Sequence, residues 1–205
     1  MLSQITEWVI RVVASLGYLG VAFLVMFENL FPPIPSELVL ALAGFVASRG
    51  DASLLGMIAA STVGSLLGAY ILYGMGAVVG PERLQALVRR YGWWVRITEA
   101  DLETAHRWFD RWSTTAVLIG RCVPLVRSLI SIPAGVARMP FLSFTLYTTA
   151  GSLVWNAIFV TAGYLLGERW ETVLGYADVL QKLTLATIGL GLLVLAYFLV
   201  RRRFA

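Results

Sequence analysis

The sequence LIGRCVPLVRSLISIPAGV, residues 118–136, places two arginines in an otherwise apolar segment. One arginine at the centre of a bilayer costs about 3 kcal/mol, so Arg121 and Arg127 must face protein, water or an anionic partner. Pro124 lies between them, and a proline inside a helix breaks it. Pro124 comes after about 15 Å of apolar helix, which is half the thickness of a hydrocarbon core of about 30 Å. Residues 114–138 are therefore predicted to form a re-entrant hairpin that turns near mid-depth.

The composition indicates an integral membrane protein. Of the 205 residues, 59% are hydrophobic and 14% are charged, which is too apolar for an ordinary soluble domain. The N-terminus has no basic region or cleavage site, so no removable signal peptide is expected. The single cysteine, Cys122, has no metal-ligand spacing with His106, and neither a metal nor another cofactor is expected. The net charge of +4 suits anionic lipid and membrane topology better than nucleic acid.

The N-terminal part of the chain contains a second candidate hairpin. Residues 1–16 carry apolar side chains on one face, which predicts an interfacial amphipathic helix. Two apolar pieces then flank the sequence PPIP, and each is too short to span the membrane alone. Residues 17–48 are therefore predicted to form another re-entrant hairpin. The turns of the two hairpins are assigned to four prolines: Pro33, Pro35, Pro124 and Pro133.

Two Gly-rich apolar segments, 53–79 and 141–167, are predicted to span the membrane, and each contains the sequence GSL. Gly64 and Gly68 in the first are spaced for close helix packing. A third span is expected over residues 183–200. The order hairpin, span, hairpin, span is a weak internal repeat, and such repeats bracket midplane substrate sites in transporters. The predicted fold is an all-α polytopic membrane protein with two opposed re-entrant hairpins, about three spans and inverted-repeat character.

Residues 81–113 are polar and are predicted to form surface helices at the level of the lipid head groups. Six of the arginines in the sequence lie there. If both hairpins re-enter, ten basic residues fall on this side of the membrane and four on the other. The positive-inside rule then places this loop and the C-terminus in the cytoplasm. The side of the N-terminus stays unassigned, because an amphipathic helix can lie on either face.

The first hairpin supplies carboxylates that complement the two arginines. Glu28 and Glu37 flank the PPIP turn, which would bring both to the hairpin tip. In a structural interpretation, the acids pair with Arg121 and Arg127 and hold the hairpins together. In a functional interpretation, the acids couple transport to protons and the arginines present a fork of donors to a lipid phosphate. The second is favoured because ionisable residues inside membranes are usually functional, although both can hold.

Two motifs resemble those of the DedA proteins, also called the SNARE-associated or VTT-domain family. The first hairpin has Phe-Glu-Asn at residues 27–29, ahead of Pro-x-Pro-x-Glu at residues 33–37. The second has Gly-Arg-x-x-Pro-x-x-Arg followed by Ala-Gly, within residues 120–135, and its Gly135 is assigned to packing. The similarity covers most of the chain.

The resemblance implies a membrane protein with opposed re-entrant hairpins that moves lipids across the bilayer. Bacterial members of the family are linked to recycling of undecaprenyl phosphate and to proton-dependent transport. The expected function is therefore a flippase or scramblase for a phosphate-bearing lipid in the bacterial inner membrane. Its expected partners are an anionic polyprenyl phosphate or a phospholipid, and protons.

Other functions stay open at this point. A proton-coupled cation carrier would use the acids as ion ligands and would move no lipid head group. A membrane enzyme acting on lipid phosphate would need a nucleophile with a base, but His106 is alone in the polar loop and Cys122 has no general base beside it. The chain is therefore not expected to be an enzyme. A non-transporting assembly factor would depend on residues 81–113 and would tolerate changes at Arg121 and Arg127.

Overall fold

The structure, a computed structural model, describes residues 2–31, 36–95, 99–124 and 126–169, together with residues 179, 182 and 186. Its helices are α1 Leu2–Leu30, α2 Ser36–Ser48, α3 Leu54–Val95, α4 Glu99–Gly120, α5 Val126–Leu129, α6 Ser131–Val136 and α7 Phe141–Leu166. A single 3-10 turn, Gly167–Arg169, follows α7. The all-α prediction is confirmed for the described part of the chain. Pro33, Pro35 and nearly all of the predicted span 183–200 lie outside the described residues.

Glycines with left-handed backbone conformations break the two longest helices. Gly17 in α1 has φ 53° and Gly80 in α3 has φ 61°, values that cost little only at a residue without a Cβ. Pro81 follows directly after the break in α3, at a first helical position where its missing N–H costs no hydrogen bond. Pro124 lies in the turn after α4, whereas Pro133, which was expected at a turn, lies within α6.

Two of the helices are long and apolar enough to cross a membrane: the first part of α3, Leu54–Ala86, and α7. The other apolar helices pack against them. The α1 and α6 helices lie along α3, α2 lies along α7, and α3 and α7 also touch each other. Buried apolar side chains form two clusters, one among α1, α2, α3 and α7 and the other among α3, α4, α6 and α7. Each short helix is thus held by a membrane-length helix.

Contacts with α3 show how far α1 extends along it. The backbone N–H of Ser53, just before α3 begins, donates a hydrogen bond to Tyr18 Oη at 2.7 Å. Near the C-terminal end of α1, Asn29 Nδ2 donates a hydrogen bond to the carbonyl oxygen of Ser65 in α3 at 3.1 Å. At 1.5 Å per residue, Ser65 lies about 16 Å into α3. The end of α1 therefore reaches about a third of the way along the membrane-length part of α3.

The segment that contains α5 and α6 approaches α3 from its other end. Tyr73, shortly before the break in α3, donates a hydrogen bond from Oη to the carbonyl oxygen of Met139 at 2.6 Å. At the opposite end of this segment, Ser128 Oγ donates to Asn29 Oδ1 at 3.1 Å. The end of α1 and the α5 segment therefore meet beside Ser65 of α3.

Close backbone contacts at glycines occur where α2 crosses α7 and where α6 crosses α3. A Cβ at each glycine would overlap a backbone carbonyl of the opposite helix: Gly44 with Val160, Gly163 with Ala41, Gly135 with Tyr73, and Gly76 with Ile132. Gly76 and Gly163 each lie 12 residues after the glycine of a GSL sequence. The two crossings are therefore built at corresponding positions of the two halves of the chain.

The glycines at 64 and 68 form a third close contact, between α3 and α1. A Cβ at Gly64 would overlap the backbone of Ala22, and one at Gly68 would lie 2.6 Å from the Cβ of Asn29. The side of α3 that carries the two glycines thus lets the end of α1 approach closely and places Asn29 against α3.

Gly76→Ala is expected to lower the free energy of unfolding by about 1–3 kcal/mol, because the added methyl group overpacks the crossing of α3 and α6. Gly74→Ala is the matched control, since a Cβ there would meet nothing within 4 Å. Alanine is the better helix former, so the control variant should be as stable as the parent or slightly more stable. Thermal unfolding of the purified proteins in detergent measures both. Equal melting temperatures for the two variants would contradict this account of the crossing.

Candidate functional site

A buried ion pair joins the end of α1 to α5. Arg127 Nη2 donates to Glu28 Oε2 at 2.8 Å, and the two residues are 4% and 5% exposed. Removing one partner from a buried pair leaves an uncompensated charge, which costs several kcal/mol. This pair combines two of the predicted site residues and connects the two segments that were predicted to form hairpins.

The next residue of each segment makes a second contact beside the ion pair. Ser128 donates to the side-chain oxygen of Asn29, and Asn29 in turn donates to the backbone of Ser65 in α3. Consecutive residues of α1 thus meet consecutive residues of α5. These two adjacent polar contacts fix the position of α1 relative to α5. The hydrogen bond from Asn29 to Ser65 attaches this meeting point to α3.

Arg121 is almost completely buried, with 2% of its surface exposed, in the turn that follows α4. Its Nη2 donates a hydrogen bond to Ser131 Oγ at 2.7 Å. Its Cβ lies so close to α7 that a Cβ added at Gly151 would be 2.6 Å from it. The glycine of the second GSL sequence therefore makes room for the arginine, which is held between α6 and α7.

Glu37 lies in the first turn of α2 and is 6% exposed. A helix N-terminus favours a negative charge at this position. Within the described part of the chain, Glu37 makes no hydrogen bond or ion pair. The structure therefore buries all four predicted charged residues and joins two of them, Glu28 and Arg127, in an ion pair.

The α3 and α7 helices add uncharged polar side chains beside the ion pair that were not predicted from the sequence. Asn156 Nδ2 donates to Thr62 Oγ1 and to Ser65 Oγ, both at 3.3 Å. The guanidinium carbon of Arg127 lies 5.7 Å from the centre of the Trp155 ring, within the range of a cation–π contact. These residues could have been recognised in the sequence, because an asparagine follows a tryptophan in the middle of an apolar span.

Five buried side-chain atoms in the described residues lack a hydrogen-bond partner: Arg121 Nε, Arg127 Nε, Thr148 Oγ1, Trp155 Nε1 and Asn156 Oδ1. Each such group costs about 1–3 kcal/mol of stability when it is left unpaired. The guanidinium and indole nitrogens can only donate. Three of the five atoms can only donate and one, Asn156 Oδ1, can only accept, so unpaired donors outnumber unpaired acceptors, which favours an anionic ligand. The described residues include no group of three or more His, Cys, Asp or Glu side chains that could hold a metal ion.

These features define an all-helical membrane protein with a buried ionic site where two helical segments meet. Residues 34–165 match the VTT domain. The chain therefore belongs to the VTT-domain family, the DedA proteins, as its motifs predicted.

Several curated proteins are similar over nearly the full chain. A Lactococcus lactis subsp. cremoris protein named alkaline phosphatase-like protein is 42% identical over 199 residues, which cover 97% of this chain and 93% of that protein. Undecaprenyl phosphate transporter A of Bacillus subtilis is 32% identical over 206 residues, with coverages of 100% and 96%. The protein of the same name from Staphylococcus aureus is 31% identical, over 96% of this chain and 94% of that protein. No solved structure matches the chain.

Glu28→Gln and Arg127→Gln are each expected to lower the free energy of unfolding by about 3–5 kcal/mol, because each leaves one buried charge unpaired. The double variant should lose less than the sum, since it leaves neither charge behind. Chemical unfolding in detergent measures all three.

Glu103→Gln provides the control, since its ion pair with Arg107 spans 3.6 Å between side chains that are 63% and 70% exposed. Removal of such a pair changes stability by less than about 1 kcal/mol. Strictly additive losses at Glu28 and Arg127 would contradict the coupling of the buried pair.

Proposed function

We propose that this protein moves a phosphate-bearing lipid across the bacterial plasma membrane and that protons drive the movement. The observation that carries the proposal is the pair of buried arginines, each with an unpartnered Nε–H. The undecaprenyl phosphate transporters A of two bacteria, similar along nearly their whole length, support a polyprenyl phosphate as the lipid.

Arg121 and Arg127 are the proposed phosphate ligands. A guanidinium group presents a planar fork of donors that matches two phosphate oxygens, and its charge strengthens each bond. Arg121 is held by a single hydrogen bond to Ser131, a neutral group, so most of its donor capacity is available. Arg127 is held by Glu28 and would exchange this carboxylate for the lipid phosphate.

The proposed route runs between two hairpins, residues 17–48 and 114–138, that enter the membrane from opposite sides. Contacts at opposite ends of α3 support this arrangement, since Tyr18 lies at its beginning and Met139 lies near its break. The corresponding glycine crossings of the two halves support an inverted repeat. The head group would pass the meeting point of the hairpins while the lipid tails stay in the bilayer.

Glu28 and Glu37 are the proposed proton-coupling residues. While Glu28 is ionised it neutralises Arg127, which is then unavailable to phosphate. Uptake of a proton by Glu28 would free Arg127, and loss of the proton would restore the pair and expel the head group. Glu37, buried in the first turn of α2, would supply a second carboxylate to the coupling. The clustering of arginines in residues 81–113 supports a cytoplasmic position for this loop and for the C-terminus.

A lipid phosphate phosphatase is the second candidate function. It is favoured by the name of two Lactococcus relatives, each 42% identical and each called alkaline phosphatase-like protein. Such an enzyme would bind the same head group but would release inorganic phosphate. One vesicle experiment can therefore distinguish the two candidates, because transport leaves the phosphate ester intact.

Arg127→Lys is expected to impair transport almost as much as Arg127→Ala, because lysine keeps the charge but loses the planar fork. The measurement is the accessibility of polyprenyl phosphate head groups at the outer surface of proteoliposomes, with and without a pH gradient, together with assay of released phosphate. Arg138→Lys serves as the control, since Arg138 is exposed and 3.5 Å from the exposed Glu82. In the same vesicles, Glu37→Gln should weaken the response to the gradient without removing it, because Glu28 can still gain and lose the proton that controls its pair with Arg127.

Each other outcome of this experiment contradicts a defined part of the proposal. Full transport by Arg127→Lys would mean that positive potential suffices without a fork. Release of inorganic phosphate by the parent would favour the phosphatase. A parent protein that exposes no additional head groups would overturn the transport function.

A further inference from the structure

Within the described residues, Trp155 and Thr148 have unpartnered buried groups that can donate, carry no charge and have no role in the proposed function so far. Of the two, Trp155 has its ring against Arg127. Its Nε1 has no hydrogen-bond partner, although the side chain is only 5% exposed. Buried tryptophans usually place this N–H against an acceptor. Its ring already has neighbours, since Phe159 lies 4.8 Å away between ring centres. Packing therefore explains why the ring is buried, but it does not explain why a buried N–H has no acceptor.

The position of Trp155 places it beside both proposed phosphate ligands. Its ring lies 5.7 Å from the guanidinium carbon of Arg127. Gly151, one turn earlier on α7, lies against the Cβ of Arg121. One stretch of α7, residues 151–155, therefore contacts both arginines. The three unpartnered donors of the site, two guanidinium Nε–H groups and one indole N–H, belong to this neighbourhood.

We propose that the indole N–H of Trp155 donates a hydrogen bond to the terminal phosphate of the lipid, as a third ligand beside Arg121 and Arg127. This inference rests on the proposed function. An indole donates but cannot accept, so it selects an acceptor-rich head group. It also carries no charge, so it binds phosphate without adding to the repulsion between the two arginines.

Three donors suit a phosphomonoester better than a phosphodiester. A terminal phosphate has three oxygens that are free to accept, whereas the phosphate of an ordinary phospholipid has two and carries a second bulky substituent. The site is therefore expected to prefer a lipid monophosphate. The same donors would also accept free inorganic phosphate, which shares the chemistry but lacks the tail.

Trp155→Phe tests the proposal, because phenylalanine keeps an aromatic ring next to Arg127 and Phe159 but removes the N–H. The loss of a hydrogen bond to a charged acceptor should weaken binding of a short-chain polyprenyl phosphate about tenfold or more, with little change in melting temperature. Trp112→Phe is the matched control, since Trp112 is 47% exposed and its ring lies 5.9 Å from the guanidinium of Arg111. Binding is measured on the full chain in detergent for the polyprenyl phosphate, a phosphodiester lipid and inorganic phosphate.

A second readout detects the hydrogen bond itself. In the parent protein, the indole N–H resonance that is absent from Trp155→Phe should move downfield when polyprenyl phosphate is added. The phosphodiester lipid should produce a smaller shift. Inorganic phosphate that binds as tightly as the lipid would overturn the lipid as ligand, because the tail would then contribute nothing.

The outcomes separate this inference from the proposed function. If Arg127→Ala abolishes lipid phosphate binding while Trp155→Phe leaves binding and the resonance unchanged, the third ligand is wrong and the function stands. If Trp155→Phe lowers the melting temperature without affecting the affinity of the folded protein, the residue only packs and the inference is wrong. If the parent binds no lipid phosphate, the function fails first and the inference fails with it.

Discussion

The burial of two guanidinium groups in the interior of a membrane protein is the constraint on which the rest of the structure depends. Neither charge can be left to lipid, and burying an ion without a partner costs several kcal/mol. Arg127 is compensated by Glu28 from another part of the chain, and Arg121 is held by Ser131 and placed by Gly151. Both arginines keep an unpartnered donor. These contacts hold the helices together, and the unpartnered donors stay available to bind an anion.

The glycine crossings make this compensation possible. Two helical segments, the part of α1 after Gly17 and the segment of α5 and α6, pack closely against α3. Backbone contact at Gly76 and Gly135 holds one of them, and Gly64 and Gly68 hold the other. Small residues are the usual means of close packing in lipid, where no hydrophobic effect drives helices together. The polar contacts at Asn29 then fix where the segments meet.

A single sequence was enough to predict the charged residues of the candidate site, which the structure buries, because arginine and glutamate are conspicuous inside apolar segments. It was also enough to predict helices throughout. It could not determine that Glu28 rather than Glu37 pairs with Arg127, since that choice depends on how far two distant segments extend along α3. Trp155 was not singled out from the sequence, because the indole ring is apolar apart from its one N–H group. Pro133 was expected at a turn, but the early part of a helix tolerates proline, and the chain continues as α6.

The most direct test of the central claim is the distance from the lipid phosphorus to the arginine side chains. Solid-state NMR can measure dipolar coupling between the phosphorus of bound polyprenyl phosphate and isotope-labelled arginine nitrogens, in bilayers of phosphate-free lipid. The account predicts nitrogen–phosphorus distances within about 4 Å, as expected for charge-assisted hydrogen bonds, and predicts that Arg121→Gln and Arg127→Gln each remove part of the coupling. Coupling that survives both substitutions would place the phosphate at surface arginines and would contradict the buried site.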